Sequence, residues 1–309
     1  MDWLAISVAA YFFLALEVVL NKFLLSSKRV SHPVIYTFYA GITGVFVLVF
    51  IPFGFHSVGL EDALIRFLGG IIFMYAMLAF YLALSKSEAS RVTPVVGAAI
   101  PVATFFFSMA FLGERLGSWE IAGLFFLVVG GLWISYDFSP ERKSRLFHGF
   151  YYSILAGLML AVAFTIFKGL YAGDNFINVF IWTRIGAFIG ILSFFLVPKW
   201  RSAIIGSLHK FKKPEKEHKS SGFIFILARA LGGSGSILKE KATSFATASV
   251  TIVNALVSIE YVFVFILGVI FSLWVPRAYE EKKDWKSIAQ KILAIVLITT
   301  GLFLVSKGQ

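Results

Sequence analysis

The residues of this chain that could do chemistry are charged and amide side chains standing inside long apolar runs. Glu17, Lys22, Lys168, Arg184, Arg229 and Glu260 each interrupt a stretch that is otherwise hydrophobic. An ionised group at the centre of a membrane helix costs about 2.5–3.5 kcal/mol or more unless it is paired or hydrated, so each is a functional candidate by default. A carboxyl at such depth can trade a proton for a substrate, because its charged form is costly there. Glu17 and Glu260 are therefore the candidates for proton coupling, against the alternative of structural ion pairs. Asn21 follows Glu17 by one helical turn and shares its face, where it could bind substrate or bond a neighbouring helix. Arg229 stands beside Gly232-Gly233, small residues that leave room for a carboxylate or phosphate held bidentately by the guanidinium. With Lys22, Lys168 and Asn254, Asn21 and Arg229 make up the candidate substrate-binding set.

The elements that must position these residues follow from composition. The 309 residues are 59% hydrophobic and only 15% charged, where soluble domains run at about 45–50% and about 25%. An ordinary soluble protein is excluded. Apolar runs interrupted by charges or turn residues predict ten helices, near 2–25, 32–55, 63–85, 90–112, 118–136, 149–171, 177–198, 222–240, 245–273 and 288–306. The first is read as a retained helix, since only Asp2 precedes it and no basic n-region does. Arg229 and the run Gly232-Gly233-Ser234-Gly235 interrupt the eighth, and the ninth is long enough to tilt or break. The connection over 199–221, with Lys210, Lys212, Lys213, Lys216 and Lys219, reads as a polar linker.

Sliding the sequence against itself by 146 residues aligns 7–52 with 153–198 without a gap, with ten identities that include Lys22/Lys168, Gly44/Gly190 and Pro52/Pro198. An odd number of helices per copy makes the second copy enter the membrane from the other side. The expected fold class is thus an all-α membrane protein of about ten transmembrane helices in two inverted five-helix repeats, 1–140 and 141–309. This is a recurring plan of secondary transporters. Lys22 and Lys168 then occupy equivalent positions, either facing a central anionic group or snorkelling to the headgroups. Loop Lys and Arg number 18 on one side, counting the basic loop at 199–221, against Arg66, Arg115, Lys239, Lys241 and Lys307 on the other. By the positive-inside rule both termini face outward.

The segment 85–135 carries Pro101 in mid-helix, then Leu112-Gly113-Glu114-Arg115, then a helix with Gly123 and Gly130 seven apart. This pattern resembles the drug/metabolite transporter superfamily, specifically its EamA-like domains. In the second half Ser258-Ile259-Glu260-Tyr261 is similar to the family's Glu-Pro pair with Tyr261 replacing Pro, and the first half keeps Pro101 with Ile100 in place of Glu. Where a Gly-Glu pair would end the ninth helix stands Ser272-Leu273-Trp274, with Glu280 or Glu281 as replacements. Arg184 matches the family's Arg early in its helix and is read as a helix-pairing anchor. The resemblance implies a ten-helix transporter of small organic solutes, similar to proteins that export amino acids or drugs, or exchange nucleotide sugars. It also implies termini inside, against the charge count. The fold does not choose a substrate.

Further residues have structural or gating readings. Pro94 and Pro101 free backbone carbonyls that need partners or line a cavity. Gly113 suits a left-handed helix end, and Glu114, with Glu120, favours the start of the next helix through its dipole. The stripe Met74, Met77, Leu78 and Tyr81 lines an apolar pocket or packs the core. Cysteine is absent and the five histidines fall in or beside loops. There is no His-Glu-x-x-His, Gly-x-Ser-x-Gly or Walker loop, so no metal, cofactor or catalysis is expected. The net charge of +11 fits membrane orientation better than nucleic acid. The expected partners are a small-molecule substrate and the bilayer, with monomer and homodimer both open. The expected place is the plasma membrane, as a multi-pass protein. The expected function is secondary transport of a small metabolite such as an amino acid, by alternating access. The competing reading is a lipid flippase of the same fold.

Overall fold

The computed structural model describes residues 2–25, 33–86, 89–135, 149–210, 218–245, 247–274 and 285–308. Every regular element among them is helical. Helix α1 is Asp2–Leu25 and α2 is Pro33–Thr43, continued by a 3₁₀ segment, Gly44–Phe53, that contains Pro52. Helices α3 (Leu60–Lys86), α4 (Ala89–Phe111) and α5 (Ser118–Ser135) follow. The second part holds α6 (Phe150–Gly173), α7 (Phe176–Leu192) with the 3₁₀ turn Ser193–Leu196, and α8 (Pro198–Lys210). It ends with α9 (His218–Ser244), α10 (Val250–Ala255), α11 (Val257–Trp274) and α12 (Trp285–Lys307).

Among the described residues, six segments are long and apolar enough to cross a membrane, Trp3–Leu20, Pro33–Phe53, Leu60–Lys86, Phe150–Gly173, Phe176–Leu196 and Val250–Gly268. Their backbones must satisfy their own hydrogen bonds in hydrocarbon, which is why the helix is the available form. Helix α1 packs along α9 and α11, α6 packs along α3 and α4, and α5 lies against α12. Small residues allow the close approaches. A Cβ on Gly70 would strike the backbone of Thr183 and Ala187, and one on Gly186 would strike Phe67. Gly123 meets the Gly301 carbonyl from the α5 side. Glycine and alanine contacts of this kind are how membrane helices associate when hydrophobic burial gives no preference for protein over lipid.

Three expectations are corrected. The linker read over 199–221 contains α8: Pro198 sits at the first helical position, and Trp200 and Ile204, one turn apart, pack against Phe194 and its neighbours. Residues 211–217 of that stretch lie outside the described residues. Gly232-Gly233-Ser234-Gly235 does not interrupt its helix, since α9 runs through it, with Gly235 close to the Ala10 carbonyl and Leu14 of α1. Lys239 and Lys241 stand inside α9 and Arg66 inside α3, not in loops. The ninth segment is broken at Leu256, between α10 and α11.

One end of the bundle is closed by short turns. Gly113 takes φ 64° after α4, as expected. Glu114 does not serve the following helix: its carboxylate accepts the Val250 backbone N–H at 3.1 Å, at the start of α10. It is Glu120 that caps α5, through the Gly117 N–H at 2.8 Å. At the same end Asp174 accepts from Arg66 at 2.9 Å and Asn178 at 2.6 Å, and His56 stands 3.5 Å away. Burial alone would raise the Asp174 carboxyl. The hydrogen bonds from Asn178, the Asn175 backbone and Arg66 outweigh it and hold the carboxyl below its usual pKa.

Candidate functional site

The intramembrane charges gather around α9. Glu17 of α1 pairs with Arg229, both side chains being largely buried, at 17% and 15% exposure. The carboxylate rests against Gly232, where any side chain would occupy its place. Arg229 also donates to the Tyr36 hydroxyl at 3.2 Å and lies 5.6 Å from its ring centre. Tyr81 packs edge-on to Tyr36 at 4.5 Å and adjoins the same guanidinium. Tyr81 alone of its stripe therefore borders the charges, whereas Met74 and Leu78 are buried in the core. Glu260 of α11 lies within the field of Glu17 and of Lys239, and the Lys239 ammonium sits 3.8 Å from the Phe164 ring centre. Two carboxylates, a guanidinium and an ammonium thus share one aromatic-lined region contributed by α1, α2, α3, α6, α9 and α11.

A second cluster lies further along α9. Arg184 of α7 pairs with Glu240, whose other oxygen accepts from the buried Tyr171 hydroxyl at 2.9 Å. Phe73 and Phe180 cover the guanidinium, at 5.1 and 4.7 Å. Arg184 thus links α7 to α9. Its partner was not legible, because Glu240 marked the predicted end of a helix that continues to Ser244.

The remaining candidates are placed elsewhere. Lys168 neither snorkels nor joins the charges. Its ammonium donates to the Thr243 and Phe245 carbonyls, at 3.1 and 2.6 Å, and so caps the C-terminus of α9. Asn254 is buried and donates to the Thr104 hydroxyl at 3.3 Å, tying α10 to α4. Pro101 is buried within α4, which is a single helix. Tyr261, the residue that departs from the family pattern, packs on Gly97 of α4 and donates to the Thr93 carbonyl at 3.1 Å. The side chains of Asn21, Lys22 and Pro94, and Glu280 and Glu281 altogether, lie outside the described residues. Tyr36, Tyr171, Lys239 and Glu240 were missed as site residues. A lysine and glutamate adjacent in sequence, ten and eleven residues after Arg229, were the available signal.

Long apolar helices with buried charges define an integral, multi-pass membrane protein. Residues 1–136 match the EamA-like transporter family. A solved crystal structure of a protein superimposes with a TM-score of 0.64 at 15% identity, covering 98% of this chain and 96% of that one. At that identity the likeness concerns the fold alone. No curated protein matches the chain in sequence.

Proposed function

We propose that this protein is a secondary transporter of a small organic metabolite in the plasma membrane, working by alternating access between two inverted five-helix halves. The observation that carries this reading is the Glu17–Arg229 pair with Glu260, Lys239, Tyr36 and Tyr81 around it. Charges of both signs suit a zwitterionic solute such as an amino acid. Arg229 or Lys239 would hold its carboxylate, Glu17 or Glu260 its ammonium, and the tyrosines its apolar part. The packing supports the duplication. Helix α1 lies on α9 and α11 as α6 lies on α3 and α4, so exchanging the halves exchanges the partners. Glu17 and Glu260 are the groups placed to exchange a proton with the solute, since no nucleotide-binding loop is present to supply energy otherwise.

The test is a thermal-shift screen of the purified protein against amino acids, sugar phosphates, nucleotide sugars and cationic drugs, because a ligand that binds only the folded state raises its stability. Stabilisation by a zwitterion or anion that disappears in Arg229→Ala, followed by its counterflow in proteoliposomes, supports the proposal. Stabilisation by lipids alone, unaltered in Arg229→Ala and Glu17→Gln, overturns it.

A further inference from the structure

The seam between α7 and α9 opens outward as an aromatic crevice of about 410 Å³ that the charged clusters leave unused. Its walls are Phe50 and Phe53 of the 3₁₀ segment, Phe176 and Phe180 of α7, and Ile237 and Lys241 of α9. Phe176 and Phe180 stack at 5.4 Å and form one continuous apolar wall. Phe50 and Phe53 are exposed on the other side. Lys241 stands at the mouth, its ammonium 5.1 Å from the Phe176 ring centre and 5.5 Å from that of Phe245. The neighbouring carboxylates are engaged elsewhere, Asp174 by Arg66 and Glu240 by Arg184.

We propose that this crevice binds an anionic phospholipid, with the headgroup phosphate on Lys241 and one acyl chain between the phenylalanines and Ile237. The proposal rests on the membrane placement of these helices and not on the solute reading. Depth supplies the first reason. Lys241 is one turn from the end of α9, and Phe176 opens α7. Ile237 and Phe180 lie one further turn, roughly 6 Å, towards the middle of the bilayer. Cation at the interface and apolar walls beneath it repeat the order of phosphate and chain in a lipid. Charge supplies the second, because an exposed lysine attracts an anionic headgroup, and a zwitterionic headgroup would set its own cation against this one. Size supplies the third, since the crevice falls within the range of about 300–1,000 Å³ usual for ligand sites.

The experiment is native mass spectrometry of the full chain in detergent, titrated with phosphatidylglycerol, with phosphatidylcholine of the same chains, and with soluble glycerol phosphate as the headgroup alone. One phosphatidylglycerol should be retained about fivefold more tightly than phosphatidylcholine, a difference that Lys241→Ala removes and Lys241→Arg preserves. Ile237→Trp, which fills the crevice, should abolish retention. If it does not fold, the two Lys241 variants decide alone, since that side chain is exposed. Equal retention of both lipids, unaffected by Lys241→Ala, overturns the proposal. So does competition by glycerol phosphate at the concentration of the lipid, which would make this a surface anion contact without a chain.

Discussion

Removing the charge from Glu17 should do more than delete one contact, because it leaves Arg229 facing Tyr36 and apolar helices. Two unit charges in contact attract by roughly 5 kcal/mol at an effective dielectric constant of about 20. Two effects reduce what is measured. Both side chains keep some contact with water, at 17% and 15% exposure. A chain unfolded within the membrane also finds other partners, which brings polar contacts there down to about 0.6–2 kcal/mol. A coupling of about 1–2 kcal/mol between positions 17 and 229 follows, so the double substitution should cost less than the sum of the two single ones by that amount. The assay is a double-mutant cycle over Glu17→Gln, Arg229→Gln and both together, read from unfolding in mixed micelles of rising dodecyl sulfate content. A coupling below about 0.5 kcal/mol, the level of exposed pairs, would refute a partly buried ion pair at this place.

Gly232→Ala should lower stability by about 1–3 kcal/mol by overpacking against the Glu17 carboxylate; an unchanged melting temperature contradicts the close approach of α1 and α9. For Asp174, whose folded pKa is depressed, the contribution to stability is complete above the unfolded value of about 3.9 and is lost as pH falls through the lower folded value. The melting-temperature gap between wild type and Asp174→Asn should therefore persist at pH 5 and close below about pH 4; a gap still open at pH 2 runs against that assignment. Glu114→Ala should cost about 1–2 kcal/mol, because it leaves the Val250 N–H at the start of α10 without its acceptor at a partly buried position, where Ser249 caps only the Ile252 N–H. Glu120→Ala, at a more exposed cap, should cost less. Equal losses in chemical denaturation would show that Glu114 has no role beyond its own turn.

The apolar helices were legible because hydrocarbon demands length and hydrophobicity that composition displays directly. Arg184, Arg229 and Glu17 were legible as buried charges for the same reason. Helix α8 was not, because four of its thirteen residues are basic or histidine and its apolar contacts reduce to Trp200 and Ile204. Partners were the harder matter. Nothing local in the sequence ties Glu114 to Val250, Tyr261 to Thr93 or Arg184 to Glu240, since each contact depends on which helices become neighbours. Lys168, which the sequence aligned with Lys22, has its ammonium taken by carbonyls at the end of α9, a contact the alignment did not point to.

The Glu17–Arg229 pair also bears on biogenesis. Its two members leave the ribosome about 200 residues apart, and at 5–20 residues per second the first waits roughly 10–40 s for the second. During that interval α1 must enter the bilayer with its carboxyl unpartnered, at a cost of several kcal/mol if it stays ionised at depth. An α1 that kept this charge would be better placed at a shallow depth until α9 emerges, so that the two helices reach their final depth together although one is made long before the other.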